Sequence, residues 1–271
     1  MIWDIDPIAI HTSVLSIRWY GIFLSVALIA SYYHLRCLMV SSAQLAAFQR
    51  VVPITFLGSM LGARLGHFAF YTPELLIESP MILVQFNVPG LASHGAILGG
   101  TFAVWLVARW QEDVDFLWFL SRIAFSFVVF CILIRLGNFF NSELIGTSSH
   151  LPWAVQFSQI DTAYRHPVQL YESISYLICS GFLWAIYKQG ISSKRLLGSV
   201  LVTMSLLRMA LERFKAEQSN IELELAYTLG YLLTLPILIV GLALLVRAWL
   251  DVTKPRMEPR KDLSKGKDLS H

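Results

Sequence analysis

Charge is scarce in this sequence. Asp, Glu, Lys and Arg make up 14% of its 271 residues while hydrophobic residues make up 56%, and the mean hydropathy is +0.60. A soluble domain carries about 25% charged residues, so that class is excluded and a polytopic membrane protein is expected. The usual metal patterns are missing: there is no HExxH, no pair of closely spaced cysteines and no cluster of aspartates. No glycine-rich nucleotide loop occurs either, and no metal, cofactor or nucleic-acid partner is expected. The three cysteines, Cys37, Cys131 and Cys179, lie singly in apolar runs and read as inert buried thiols. No small-residue cleavage site follows the first apolar run, so that run is expected to stay as a helix.

What the chain has instead is a series of apolar runs of about 20 residues, long enough to cross a bilayer. They fall at 17–39, 51–71, 92–110, 117–140, 168–187, 196–214 and 225–249. The pattern predicts an all-α polytopic membrane protein with about seven transmembrane helices. Residues 1–250 form one integral-membrane domain, and 251–271 a basic, disordered tail. Loop charges give the orientation. Arg36 and Arg50, Arg109 and Arg122, the group Lys188, Lys194 and Arg195, and the basic tail should be cytoplasmic. The N-terminus with Asp4 and Asp6, the loop with Glu74 and Glu78, the loop over 141–165, and the loop with Glu217, Glu222 and Glu224 should face out.

Polar residues inside the runs carry the functional signal. Residues 132–146, ILIRLGNFFNSELIG, place Arg135, Asn138, Asn141 and Ser142 at the end of an apolar run, where helical spacing puts them on one face. An intramembrane arginine persists by facing a polar cavity, a carboxylate or an anionic ligand. With the orientation above, Arg64, Arg135 and Arg208 fall late in outward-running helices. Tyr20, His94 and Gln169 fall early in inward-running ones. All six converge on the outer side, which predicts a cavity open to the outer leaflet.

Each residue also has a plainer explanation. Arg208 and Glu212, four apart, can neutralise each other within the bundle. Arg64 lies between Gly62 and Gly66 and is assigned chiefly to packing at a close helix contact. His94 can be a helix-start residue behind a Ser93 cap, and Tyr20 an interfacial anchor. His166-Pro167 marks the entry of the fifth helix, with proline at its first position, after which Gln169, Glu172 and Ser173 share a face. Arginines at headgroup depth suit a phosphate ester, and a nearby histidine can take a proton from a nucleophile. From the residues alone the expected function is an outer-leaflet phospholipid enzyme, with a transporter or binding protein for an organic anion as the competing class.

Six stretches in order, IRWYGIF around Tyr20, GARLG around Arg64, SHGAILGG around His94, RLGNFFNSELIG from Arg135, RHPVQLYES from Arg165 and LLRMALERFK around Arg208, resemble the motifs of the prolipoprotein diacylglyceryl transferase family. The resemblance implies transfer of diacylglyceryl from phosphatidylglycerol to the lipobox cysteine of a prolipoprotein signal peptide, with release of glycerol phosphate, in the bacterial inner membrane. It implies that Arg135 binds phosphatidylglycerol, with Asn138, Glu143 and Gly146 as the rest of the signature. Arg208 is then the second essential arginine, His94 acts on the acceptor thiol and Tyr20 lines the site. His166, Gln169 and Glu212 complete the expected substrate-binding set. The chain departs from the family at Ile134, Ser142, Ala96 and Met204, where glycine or small residues, or at 204 a tyrosine, are usual. A divergent paralogue of lower activity is the variant of this expectation.

Overall fold

The structure, a computed structural model, describes residues 1–12, 16–85, 88, 90–216 and 228–253. Among these, seven long helices follow the apolar runs closely: α1 (Trp19–Cys37), α2 (Ser42–Tyr71), α4 (Ser93–Trp110), α5 (Phe116–Phe140), α6 (Val168–Tyr187), α7 (Ser193–Glu212) and α8 (Thr228–Thr253). The short α3 (Pro73–Glu78) and a 3-10 turn, Pro80–Val84, lie between α2 and α4. Three helical stretches, Ser42–Phe70, Phe116–Phe140 and Thr234–Val252, are long and apolar enough to cross a membrane by length and composition. The other long helices have 18 to 20 residues, about the minimum for a crossing, and polar residues lower their apolarity. The sixth loop with Glu217, Glu222 and Glu224 and the tail from Lys254 onward lie outside the described residues.

Helix ends differ from expectation where side chains decide them. Helix α2 starts nine residues early, because Ser41 and Gln44 form a reciprocal capping box that satisfies its free amides. Arg50 therefore lies inside α2, where it pairs with Asp113. Arg122 is also not a loop charge. It lies within α5, buried, stacked 4.2 Å over Trp118 and donating to Ser121 and Ser193. The cap of α4 is Ala92 without a side-chain bond, so Ser93 is the first helical residue. Pro167 is the cap of α6, and Val168 begins it.

Glycine sets how α2 and α4 meet. A Cβ built at Gly95 falls 2.1 Å from the Gly62 carbonyl oxygen, and one at Gly99 falls 2.2 Å from that of Gly58. Only backbones without side chains approach this closely, the small-residue seam common between membrane helices. Helix α5 is the centre of the remainder and touches α1, α6 and α7, while α8 packs on α7. The main apolar core collects Leu35 and Leu38 from the end of α1, Phe48 and Val51 from the start of α2, Val104 and Val107 from the end of α4, Phe119 and Phe125 from the start of α5, and Leu183 and Leu196. Every one of these belongs to the same end of the bundle.

At the other end, where α1, α4 and α6 begin and α5 and α7 finish, the chain adds short strands that hydropathy did not foretell. β1 (Ile2–Trp3), β4 (Val155–Phe157) and β5 (Tyr164–Arg165) form one sheet, with β4 in the middle, parallel to β1 and antiparallel to β5. β2 (Ile8–His11) and β3 (Ser16–Arg18) form a hairpin leading into α1. Trp3 packs on Phe139 and Phe140, so the sheet is fastened to the end of α5.

Candidate active site

The polar end of α5 is held by a turn of unusual shape. After Phe140 the backbone takes positive φ at Ser142 (56°) and Leu144 (57°), a conformation few non-glycine residues adopt. This explains why a glycine or small residue suits position 142. The two kinks fold Glu143 back over the helix end. Its carboxylate accepts from Asn141 Nδ2 at 2.7 Å and from Asn138 Nδ2 at 3.1 Å, and its main-chain oxygen accepts from the fully buried Gln169 at 2.6 Å. Gln169 thus ties α6 to the turn. Tyr20 lies within electrostatic reach of Glu143 and Arg135, because α1 crosses α5 at Gly137, where a Cβ would fall 2.9 Å from Phe23.

Arg135 is gripped from several sides. Its Nε pairs with Glu172 Oε2 at 2.8 Å, its Nη1 donates to Asn138 Oδ1 at 3.3 Å, and it lies within electrostatic reach of Tyr176. Glu172 is only 1% exposed and uses its other oxygen to hold Lys215 Nζ at 2.9 Å; Lys215 also reaches Glu212 at 3.4 Å. A buried carboxylate needs such partners. The pairing of Glu212 with Arg208 considered from their spacing is therefore not formed. Glu212 answers Lys215, and Arg208 has no ion-pair or hydrogen-bond partner among the described residues.

Gly146 and His166 sit beside this network. Gly146 bridges to Lys215, and Thr147 N donates to Phe214 O at 2.9 Å, which brings Lys215 under the turn. A Cβ at Gly146 would fall 2.4 Å from the His166 carbonyl oxygen, so no other residue fits without moving backbone. The His166 ring packs against Phe214 and shares a 3.3 Å hydrogen bond with the Tyr171 hydroxyl. Arg165 donates to Gly146 O and to Asp161, and these hydrogen bonds hold the Asp161 carboxyl below its usual range.

Across from α5, His94 is exposed at the first turn of α4, has no hydrogen-bond partner among the described residues, and lies within electrostatic reach of Arg208. Tyr176 lies between the two halves, within electrostatic reach of both Arg135 and Arg208. Two members of this site escaped the sequence. Tyr176 continues the face of Gln169, Glu172 and Ser173 by one more turn, a signal that was present but partly hidden by its apolar neighbours. Lys215 follows a helix end and looks like an ordinary loop charge. In the other direction, Arg64 does not join the set of six convergent residues. It is 3% exposed and turned onto the chain between α3 and α4, in keeping with its assignment to packing.

The network can do specific chemistry. Arg135 is fixed in direction with part of its planar fork still available, Arg208 has no ion-pair partner among the described residues, and the imidazole of His94 lies within its electrostatic reach. Such a combination is chemically suited to holding a phosphate and moving a proton.

A sequence model of the prolipoprotein diacylglyceryl transferase family matches residues 7–247. The chain is 34% identical over 250 residues to the phosphatidylglycerol–prolipoprotein diacylglyceryl transferase of Chloroherpeton thalassium, covering 91% of this chain and 93% of that one. It is 32% identical over 249 residues to the same enzyme of Tolumonas auensis, covering 91% and 96%. The similarity to that of Porphyromonas gingivalis is 32% over 266 residues, covering 91% and 94%.

Proposed function

The chain belongs to the prolipoprotein diacylglyceryl transferase family, and on that premise we propose that it transfers diacylglyceryl from phosphatidylglycerol to a cysteine thiol of a prolipoprotein. The acceptor is the lipobox cysteine of a signal peptide, and the place is the outer face of the bacterial inner membrane, crossed about seven times. The observation that carries the assignment of roles is the contrast between the two arginines. Arg135 is locked by Glu172 and Asn138, whereas Arg208 has no partner among the described residues and lies within electrostatic reach of His94. Arg135 orients the phosphate, Arg208 takes up the charge that develops on the leaving group, and His94 accepts the thiol proton. The sulfur then bonds to the glyceryl carbon while the carbon–oxygen bond to phosphate breaks, and glycerol phosphate leaves with the electron pair.

The cavity opening outward is supported by the packing, because the apolar core joins the helices at one end and the polar residues gather at the other. Asn138, Glu143 and Tyr20 line the phosphate side of it, and Glu212 acts through Lys215. His166, Gln169 and Gly146 shape the turn that holds them.

Purified protein incubated with phosphatidylglycerol and a lipobox peptide is expected to yield a diacylglyceryl thioether, read by mass spectrometry of the peptide. Unmodified peptide together with binding of a soluble organic anion would favour the transporter class. The orientation predicts that a cysteine at Gln159 reacts with a membrane-impermeant reagent in intact cells and one at Lys261 does not. Labelling at Lys261 would overturn the topology and the outward cavity together.

A further inference from the structure

We propose that Arg64 is a positioning residue for His94, acting through the chain segment that its guanidinium grips. A guanidinium has five N–H donors, and Arg64 spends them all on main-chain carbonyls. Nε donates to Leu83 O at 3.4 Å, Nη1 to Val88 O at 2.7 Å and Gly90 O at 3.3 Å, and Nη2 to Gln85 O at 2.7 Å and to Ile82 O. The group also lies 4.7 Å over the Phe68 ring. No donor remains for a lipid phosphate, and no carboxylate among the described residues pairs with it.

The gripped segment runs directly into His94. Gly90 turns with φ of 141° against His67, where a Cβ would fall 2.2 Å from the ring. Ala92 N donates to Ala63 O at 3.0 Å, and Gly95 sits against Gly62 and Gly66. The backbone on both sides of His94 is thus fastened to α2 around Arg64. The imidazole itself has no hydrogen-bond partner among the described residues to orient it, so its place is set by this backbone. A displacement of about 1 Å at a reacting group lowers rates by up to ~100-fold.

The inference rests on His94 serving the acceptor thiol, and the test separates the two. Transfer and phosphatidylglycerol binding are measured for Arg64→Gln, His94→Gln and the double variant near pH 8.5, where residual transfer is largest. Arg64→Gln is expected to lower transfer at least ~10-fold in the wild-type background and less than ~2-fold in the His94→Gln background, since residues acting through one another are not additive. Lipid binding should stay within about 2-fold of wild type in every variant. Gly90→Ala, which moves the same segment while leaving the arginine side chain itself unchanged, should show the same dependence on His94. Equal losses in both backgrounds, or loss of lipid binding with transfer, would overturn the proposal by showing that Arg64 supports the bundle at large. Full transfer by His94→Gln alone would remove the role of His94, and with it this inference.

Discussion

Replacing His94 by glutamine is expected to lower transfer by about 10² to 10⁴-fold, the usual contribution of a general base, while phosphatidylglycerol binding stays nearly unchanged. Glutamine retains hydrogen-bonding ability but cannot take a proton at useful pH. The imidazole is exposed at the start of α4, away from the Arg135–Glu172–Lys215 chain that forms the anchored side of the site. Removing it leaves that chain intact. The lost rate should return in part as pH rises towards the thiol's own pKa of about 8.5, because thiolate then forms unaided. An Arg135→Ala variant should show no such return. Rates and lipid binding measured for both variants across that range check the prediction. A deficit in His94→Gln that stays constant with pH would instead assign His94 to holding the headgroup.

Arg135→Lys should lose transfer on the order of 10²-fold or more, comparable to removing one well-placed donor from an anionic transition state. Charge is kept, but geometry is not. Arg135 meets Glu172 through Nε and Asn138 through Nη1, and the rigid plane between them aims the remaining N–H groups. A lysine ammonium placed to satisfy the Glu172 carboxylate has no second arm for a phosphate. The variant should therefore fold and pair with Glu172, and bind lipid weakly. Titration with phosphatidylglycerol alongside a thermal melt distinguishes these effects, and full turnover at normal expression would show that charge alone suffices.

The sequence made the long helices legible because their runs stay mostly apolar over about 20 residues and turn residues mark their ends. Prediction slipped at α2, where the apolar run begins at Val51 but a polar capping box begins the helix at Ser42. The strands at the polar end of the bundle were not legible: β1 pairs with β4 across more than 150 residues, and two- or three-residue strands have no periodicity to detect. Within the site, Arg135, Asn138 and Glu143 were visible as polar residues where an apolar chain should have none. Lys215 was not, since its meaning depends on a backbone bridge to Gly146 that brings it to Glu172. Arg64 was visible as an anomaly, but only the carbonyls around it reveal what it holds.

The chain of charges described above also bears on how a turnover ends. Arg135, Arg208 and Lys215 supply three formal positive charges, and Glu143, Glu172 and Glu212 supply three negative ones, so these six groups together are formally neutral. A phosphodiester substrate brings one negative charge, whereas the monoester that leaves carries about −1.5 to −2 near neutral pH. The second charge is balanced while the thiol proton stays on the imidazole; once that proton is lost to water the dianion faces carboxylates that cannot withdraw, and the released headgroup is repelled from the site.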